Sequence, residues 1–238
     1  MLALMALAET VAPKRRQHLP RLLRWSNNLA LVVVDTILLR LVFPLTAAAF
    51  ALVMQDKGIG LLNFVPLPGW AALIISLLLL DLAIYAQHVV FHKVPLLWRL
   101  HRMHHAYTEI DVTMGLRFHP VEILLSMAVK FAVIAIIGAP PLAVLLFEII
   151  LNGAALFNHS NVSLPPAIDK FLRLFLVTPD MHRVHHSDIA TETDSNYGFN
   201  LPWWDRLFGT YVAEPAKGQQ GMTIGLRQFR EAREAWID

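Results

Sequence analysis

Long apolar segments constrain this chain more than any other feature of its sequence. Residues 29–54 and 70–91 are each long enough to cross the hydrocarbon core of a bilayer as a helix, which takes about 20 residues. Residues 122–138 and 141–158 form a second pair, separated by the helix-breaking stretch Gly-Ala-Pro-Pro. A helix of 17 residues reaches only about 26 Å, which favours a tilted or shallow second hairpin. The sequence therefore predicts an all-α integral membrane protein with about four transmembrane helices in two hairpins.

The composition agrees with a membrane protein. Hydrophobic residues make up 56% of the chain and charged residues 16%, whereas a soluble domain has about 25% charged residues. Cysteine is absent, which excludes disulfides, thiolate metal sites and cysteine nucleophiles, so any metal must be held by nitrogen and oxygen ligands. The formal net charge is only +2, and we expect no nucleic-acid partner.

The basic residues predict how the hairpins are oriented. They are concentrated in the N-terminal flank, between the two hairpins and after residue 158, whereas the loop at 55–69 has only Lys57 and the turn at 138–141 has none. The positive-inside tendency then places both termini and the middle segment in the cytoplasm. In this interpretation the polar C-terminal region caps the hairpins from the cytoplasmic side.

The chain is predicted to have two parts. Residues 1–28 form an N-terminal interfacial leader, for which a flexible tail is the alternative, and residues 29–238 form a single membrane-embedded domain. Two charge pairs are expected, Asp35 with Arg40 inside the first span and Asp205 with Arg206 near the C-terminus; for the charges inside the spans, a role in substrate binding is the alternative. Trp203, Trp204 and Phe208 are interpreted as an aromatic belt at the membrane interface.

Histidine is distributed very unevenly along the chain. Ten of the eleven histidines lie between residues 88 and 186, and the pattern His-x-x-His-His occurs twice, at 101–105 and 182–186. At this histidine frequency, chance would give roughly 0.02 copies of the pattern. On a helix these spacings place three imidazoles on one face, where they would converge on a point beside the helix. His88 and His92 have the related i, i+4 spacing at the end of the second span.

The predicted hairpins bring all ten of these histidines to one face of the membrane, which predicts a shared metal site. Neutral imidazole suits iron, zinc, copper and nickel, and eight to ten histidines suffice for two ions with four or five ligands each. His119 has a second interpretation, because it is also placed to cap the helix that follows it. Asn158, Asn161 and Asn196 either orient imidazoles or cap helices and turns, and Tyr85 and Phe91 either line a substrate channel or pack between helices.

These motifs resemble those of the fatty acid hydroxylase/sterol desaturase superfamily of integral membrane di-iron enzymes. The resemblance rests on "HVVFH", "HRMHH", "RFHP", "HRVHH" and the closing "NYGFNLPWWDRLFGTY", and it covers roughly residues 70–215, the expected catalytic core. It implies two hairpins under a cytoplasmic histidine-rich helical cap. It also implies O2-dependent hydroxylation or desaturation at an unactivated C–H bond of a membrane lipid, such as a sterol or a fatty acyl chain.

The resemblance also implies the cofactors and the ligands. Two iron ions are expected, which zinc can replace in a purified sample, with O2 as co-substrate and no catalytic residue beyond the metal centre. One departure is that residues 155–159 contain a single histidine where some hydroxylases have two. The implied metal ligands are His88, His92, His101, His104, His105, His119, His159, His182, His185 and His186.

Electrons must come from an external donor, since no GxGxxG motif follows a predicted strand and no haem or flavin domain fits into 238 residues. A ferredoxin- or cytochrome-like donor is expected on the cytoplasmic cap, at the basic residues Arg99, Arg102 and Arg183. Two other classes stay open, a bis-histidine haem protein that transfers electrons and a metal transport or storage protein. The lipid, the choice between hydroxylation and desaturation, and the oligomeric state are also left open.

Overall fold

The computed structural model describes residues 1–231, and every regular element in this range is helical. Strand pairing in these residues is limited to two isolated bridges, Pro13 with Val162 and Ser187 with Ile224. The α-helices are α1 Leu2–Val11, α2 Arg21–Val42, α3 Ala47–Asp56, α4 Gly69–Lys93, α5 Pro95–His105, α6 Pro120–Ile137, α7 Pro141–Asn158, α8 Pro166–Leu172, α9 Pro179–His185, α10 Ala190–Thr193, α11 Trp203–Leu207 and α12 Gly218–Gly221. Two short 3₁₀ helices lie at Leu61–Asn63 and Val112–Leu116. The all-α prediction is confirmed.

Four helical stretches in the described residues are long and apolar enough to cross a membrane, as predicted. They are α4, α6, α7 and the segment Arg21–Asp56, which contains α2 and α3. The span predicted at 29–54 differs in detail, because the helix is interrupted between Val42 and Ala47. Pro44 lies in this interruption, and proline lacks the backbone N–H that a continuous helix needs.

The helices pack around one apolar core. α3 lies against α6 and α7, while α4 lies between α5, α6 and α7. The core cluster contains Ala51, Leu80, Ile134, Val144 and Phe147, all of them buried.

The outer surface of the helices is apolar as well. Val33, Ile37 and Leu41 follow each other at a spacing of four residues on α2, and all three are exposed. A stripe of this kind is a liability in water but a favourable surface against lipid tails.

One end of the bundle carries a helical cap. α4 and α7 end there and α6 begins there, while α5, α9 and Val112–Leu116 lie on these ends. Prolines fix where three helices begin at the cap: Pro95, Pro120 and Pro179 occupy the first turns of α5, α6 and α9. Pro141 has the same role in α7, which begins at the opposite end of the bundle. Proline suits this position because its missing N–H would have no partner in the helix. The sequence thus brings the motif-bearing segments to one end.

The segment predicted as a leader, residues 1–28, contains α1 and the first turns of α2. The carboxylate of Glu9 in α1 accepts hydrogen bonds from the backbone N–H of Val112 at 2.7 Å and of Asn161 at 2.6 Å. In α2, the buried Arg24 forms a salt bridge with Asp111 at 2.6 Å. Polar contacts therefore hold this segment against the cap.

Glu9 makes the stability of the protein depend on pH. Burial raises the pKa of Glu9 from 4.5 to about 7; its two backbone hydrogen bonds and Arg21 act in the lowering direction and Asp111 in the raising direction. A carboxyl group whose folded pKa is raised stabilises the fold below its unfolded pKa, and this contribution is lost as the pH rises through about 7. The contribution is on the order of 3 kcal/mol.

We therefore expect the unfolding temperature of the wild-type protein to fall between about pH 5 and about pH 8. Glu9→Gln keeps an acceptor oxygen but has no charge, so its unfolding temperature is expected to fall less over the same interval. Thermal unfolding in one detergent at both pH values measures the difference. An equal fall in the two proteins would contradict the assignment to Glu9.

Gly115 allows the segment Val112–Leu116 to lie directly against α7. A Cβ atom at this position would be 2.4 Å from the backbone oxygen of Ala155 and 3.2 Å from Nδ1 of His159. We expect Gly115→Ala to destabilise the protein by about 1–3 kcal/mol, because backbone cannot move aside cheaply. Gly153→Ala is the control, since a Cβ there meets nothing within 4 Å. Thermal unfolding that moves equally in both variants would contradict this role of Gly115.

Candidate metal centre

Nine of the ten histidines that the sequence singled out gather in two neighbouring clusters. In each cluster, one candidate ligand atom per residue lies within 4.8 Å of all the others. The first cluster contains His88, His92, His101, His105 and His185; the second contains His104, His159, His182 and His186. All nine side chains are buried, in the part of the cap that rests on the ends of α4 and α7.

Each His-x-x-His-His motif contributes to both clusters. In α5, His101 and His105 belong to the first cluster and His104 to the second. The motif at α9 does the reverse, with His182 and His186 in the second cluster and His185 in the first. The sequence predicted three imidazoles converging on one point, and the structure corrects this. Consecutive helical residues are about 100° apart, so the last two histidines of a motif point to different sides.

Five imidazoles have their outer nitrogen fixed by an oxygen that only accepts. The Nδ1 atoms of these five lie 2.7–2.9 Å from a backbone carbonyl or a carboxylate. The pairs are His88 with the Tyr197 carbonyl, His101 with the Glu122 carboxylate, and His104, His159 and His185 with the carbonyls of Arg117, Ala155 and Ser195. Because these oxygens accept, Nδ1 carries the proton and Nε2 presents a lone pair to the interior of the cluster.

The inward nitrogens lie closer together than unpaired lone pairs allow. Nε2 of His88 lies 3.1 Å from Nε2 of His101, and Nε2 of His104 lies 3.1 Å from Nε2 of His159. In the second pair both rings are buried with lowered pKa values and both carry their proton on Nδ1, so this contact is not a hydrogen bond and the two facing lone pairs repel each other. Nitrogens bound tetrahedrally to one ion at about 2.1 Å would be about 3.4 Å apart. The residues therefore fit a metal ion in each cluster.

The unpartnered nitrogens of the first cluster support the same fit. Both ring nitrogens of His105 are buried and have no hydrogen-bond partner, and Nε2 of His185 has none either. A buried polar atom without a partner costs free energy, and a metal ion removes this cost where the atom can ligate.

The histidines are held in the protonation state that ligates metals. Burial lowers the pKa of His159 to about 4 and that of His185 to about 3, and neighbouring imidazoles such as His101 act in the same direction. The pKa values of His104 and His105 are lowered well below the usual value for the same main reason. At neutral pH these rings are therefore neutral, which is the form that binds a metal.

A cavity of about 280 Å³ leads from the first cluster into the membrane-spanning part of the bundle. His88 and His101 line one end of it, and Lys130 and Glu148 line the other. Phe91 is part of the lining, which agrees with the channel interpretation of this residue. Tyr85, the other candidate, instead shares a hydrogen bond of 2.9 Å with Thr210.

Two predicted site residues lie elsewhere. His119 is outside both clusters and caps α6, since its Nδ1 accepts a hydrogen bond from the N–H of Val121 at 3.1 Å. Arg183, predicted on the surface patch for the electron donor, is fully buried and forms a salt bridge with Asp180 at 2.5 Å. The part of the patch that is exposed consists of Arg99 and Arg102.

The predicted roles of the polar side chains near the centre are also resolved. Asn158 donates to the carbonyl of Phe199, Asn161 to that of Arg15, and Asn196 to those of Met181 and Val212. These amides therefore position backbone segments and do not touch the imidazoles through those bonds.

The two predicted charge pairs are wrong in the described residues. Asp35 faces the cavity with one oxygen unpartnered, whereas Arg40 is exposed. Asp205 accepts hydrogen bonds from the N–H groups of Tyr197 and Gly198, both at 2.8 Å, and Arg206 donates to a backbone carbonyl elsewhere.

Three contacts near the centre were not predicted. Glu122 accepts a hydrogen bond from Nδ1 of His101. The one feature of the local sequence that could have pointed to Glu122 is that it is an acidic residue in the first turn of α6. Trp204 donates from its indole N–H to Asp81 at 2.8 Å, so it has a partner within the bundle and is not only part of a belt. Asp205 fixes the segment whose Tyr197 carbonyl holds His88. No sequence spacing indicates this last role, because it depends on a loop folding back.

Asp205→Ala is expected to destabilise the protein by about 2–4 kcal/mol, because two buried N–H groups and the Thr210 hydroxyl lose their acceptor. Arg206→Ala is the matched control and is expected to cost less than about 1 kcal/mol. Thermal unfolding of both variants measures the difference. Equal losses of stability in the two variants would contradict this role of Asp205 and would support the Asp205–Arg206 pair that the sequence predicted.

Comparison with known proteins gives a family match over the segment that holds both clusters. Residues 73–210, more than half of the chain, match the model of the fatty acid hydroxylase family. An ornithine lipid hydroxylase from Rhizobium tropici is 32% identical over 142 residues, which are 60% of this chain and 42% of that protein.

Two animal proteins also match part of the chain. The alkylglycerol monooxygenase of Homo sapiens is 31% identical over 154 residues, 63% of this chain and 32% of the relative. The cholesterol 25-hydroxylase of Rattus norvegicus is 27% identical over 145 residues, 60% of this chain and 47% of the relative. The matched segment thus spans less than half the length of each of these curated relatives. No solved structure matches the chain significantly.

Proposed function

Because the chain belongs to the fatty acid hydroxylase family, we propose that it is a membrane-bound oxidoreductase that uses O2 to hydroxylate an unactivated C–H bond of a lipid. The reaction converts R–H, O2, two electrons and two protons into R–OH and water. Desaturation of the same lipid, which consumes the same electrons and O2 but gives a double bond and two waters, is the second candidate. Hydroxylation is favoured because the three relatives described above are named hydroxylases or a monooxygenase.

The nine clustered histidines would hold two metal ions, with the five residues of the first cluster available to one ion and the four of the second to the other. Two iron ions bound there supply the activation of O2 that oxidation of a C–H bond requires. Zinc is a plausible substitute in a purified sample because imidazole accepts both metals. His119 is not included among these ligands, since its ring nitrogen caps α6.

The protein's own residues orient the ligands, exclude water and position the substrate. The carbonyl of Tyr197 and the carboxylate of Glu122 keep the Nε2 atoms of His88 and His101 directed inward. Burial of all nine imidazoles keeps bulk water away from the reacting carbon. The cavity that begins at His88 and His101 receives the lipid, with apolar side chains such as Phe91 along its length.

Electrons reach the centre from an external ferredoxin- or cytochrome-like donor. With the cap on the cytoplasmic side, as the distribution of basic residues predicts, the exposed Arg99 and Arg102 present positive charge to a donor in the cytoplasm. A second cavity, of about 290 Å³, lies beside His92 and is lined by Trp98, Asp194 and Arg227. It marks the side on which the first cluster comes nearest to the exposed side chains of the cap.

The two alternative classes are less well supported by the geometry. A bis-histidine haem needs two imidazoles with space for a flat macrocycle between them, whereas four or five buried imidazoles surround each point here. A transporter needs ligands along a path through the membrane, whereas all nine clustered histidines lie at one end of the bundle.

The observation that carries the proposal is the convergence of nine buried imidazoles on two points, and metal content tests it directly. We expect about two ions per chain in detergent-purified protein. His104→Ala removes a ligand of the second cluster and His185→Ala one of the first, and each is expected to lower the metal content. His119→Ala is the control and should retain the wild-type content. Elemental analysis with circular dichroism for folding gives the result.

Metal content that survives both ligand substitutions, or falls equally in the control, would contradict the two clusters as metal sites. Incubation of the iron-loaded protein with membrane lipids, O2 and a reductant then tests the reaction. A lipid product heavier by one oxygen atom supports hydroxylation, and a product lighter by two hydrogens supports desaturation. An iron-loaded protein that consumes O2 with neither product would overturn the proposed activity.

A further inference from the structure

We propose that the deep half of the cavity is a binding subsite for a hydrogen-bond donor on the lipid, a hydroxyl or an N–H group. This group would lie about one to two helical turns further into the membrane than the carbon that reacts. The inference rests on the proposed function, because it takes the end of the cavity at the first cluster as the place of reaction. It adds a requirement on the substrate that a plain hydrocarbon chain does not meet.

The lining of the cavity is more polar than a hydrocarbon chain needs. Glu122, Ser126 and Lys130 follow one another at a spacing of four residues along α6, and all three line it. Lys130 forms a salt bridge with Glu148 of α7 at 2.5 Å, and the side chain of Lys130 is 9% exposed. Polar and charged groups are expensive within a membrane and occur there mainly where they pair or bind something. A strip of polar groups therefore follows the cavity from the histidines to the Lys130–Glu148 pair.

The buried polar atoms of the cavity lining that lack a hydrogen-bond partner are all oxygens in the described structure. Oδ1 of Asp35, Oε1 of Gln87 and Oε2 of Glu122 are buried in the described structure without a hydrogen-bond partner. All three residues line the cavity, and Asp35 and Glu122 are only 7% and 5% exposed. The other end of the Gln87 side chain is fixed, because its Nε2 donates to Ser126 at 3.0 Å. Unpartnered acceptors call for a ligand that donates.

The charges of the lining agree with a donor. Asp35, Glu122 and Glu148 are three carboxyl groups in the cavity, whereas Lys130 is the one lysine or arginine among its lining residues and is already paired with Glu148. A ligand group that carries partial positive charge on hydrogen, such as O–H or N–H, is favoured in these surroundings, and an anionic group such as a carboxylate or phosphate is disfavoured.

Helix geometry gives the distance between the two parts of the substrate. Along α6, the eight residues from Glu122, which touches His101, to Lys130 correspond to about 12 Å. On α2, Asn28 donates to Thr113 in the cap, and Asp35 lies seven residues, or about 10 Å, further along the helix. The substrate then has its donor about 5–12 Å from the reacting carbon. A sterol hydroxyl and the N–H of an amide-linked lipid are the two sources of this chemistry.

Equilibrium binding to the zinc-loaded protein in detergent separates the two sources without any oxidation. Cholesterol is compared with its 3-deoxy analogue, and an N-alkyl fatty amide with the ester in which oxygen replaces N–H. We expect the donor lipid of at least one pair to bind about tenfold more tightly than its partner, as a hydrogen bond to a charged or buried acceptor allows. Preference within the sterol pair identifies a hydroxyl ligand, and preference within the amide pair identifies an N–H ligand.

Asp35→Leu tests the subsite itself. It should remove most of the preference within the favoured pair while leaving binding of the apolar or ester partner within about twofold. It should also raise the unfolding temperature of the lipid-free protein, because a buried acceptor without a partner is removed. If Asp35 only stabilised the fold, Asp35→Leu would instead lower the unfolding temperature. Ser76→Ala is the control, since its hydroxyl is also buried and unpartnered but does not line the cavity.

Less than a twofold difference within both pairs, or no binding of any of the four lipids, would overturn the subsite. So would an Asp35→Leu variant that keeps the full preference. These results are independent of the test of the proposed function, which reads metal content and oxidised lipid. A protein that holds two metals and oxidises a lipid but shows no donor preference loses only the subsite. A protein without metal loses the proposed function whatever it binds.

Discussion

The repulsion between imidazole lone pairs is the physical constraint on which the rest of the structure depends. Protein oxygens hold the protons of five rings on the outer nitrogen. In the second cluster the inner nitrogens of His104 and His159 therefore face each other 3.1 Å apart with no proton to share. Without cations the cap would have to open or take up protons, and burial lowers the pKa of these rings so far that protonation is also costly. Folding of the cap and binding of metal are therefore expected to be coupled.

The membrane-spanning helices and the cap with its histidine clusters are stabilised in different ways. The apolar helices place the ends of α4, α6 and α7 at one level, and the cap is then built from short helices whose own burial of apolar surface is small. α9, for example, has seven residues, and an isolated helix of that length is unstable in water. Its position depends on the buried Arg183–Asp180 pair and on the histidines that it presents. The polar cap is thus stabilised mainly by specific partners, and the membrane part mainly by packing.

Sequence patterns predicted the parts of this structure that depend on local spacing. Length and hydropathy are sufficient for the four spans, and the His-x-x-His-His repeats together with the His88/His92 pair account for eight of the nine clustered residues. What failed depends on contacts that helical spacing does not describe. The pairing of Asp205 with neighbouring Arg206 was wrong because a loop returns and presents two N–H groups to the carboxylate. The division of each motif between two clusters also depends on a second helix facing the first. The sequence alone could not decide the role of His119, because a histidine just before a helix can either ligate a metal or cap the helix, and here it caps α6.

Because each histidine motif contributes to both clusters, the number of residues within the two motif-bearing helices cannot change. His104 and His105 are joined by a single peptide bond but belong to different clusters, and the same holds for His185 and His186. Insertion or deletion of one residue within either helix would rotate every later histidine by about 100° and disturb both clusters at once. The connections between the histidine-bearing helices carry no such restriction, because only their end points matter. Length variation among homologues is therefore expected in the loops and at the termini, with the five-residue motifs kept free of gaps.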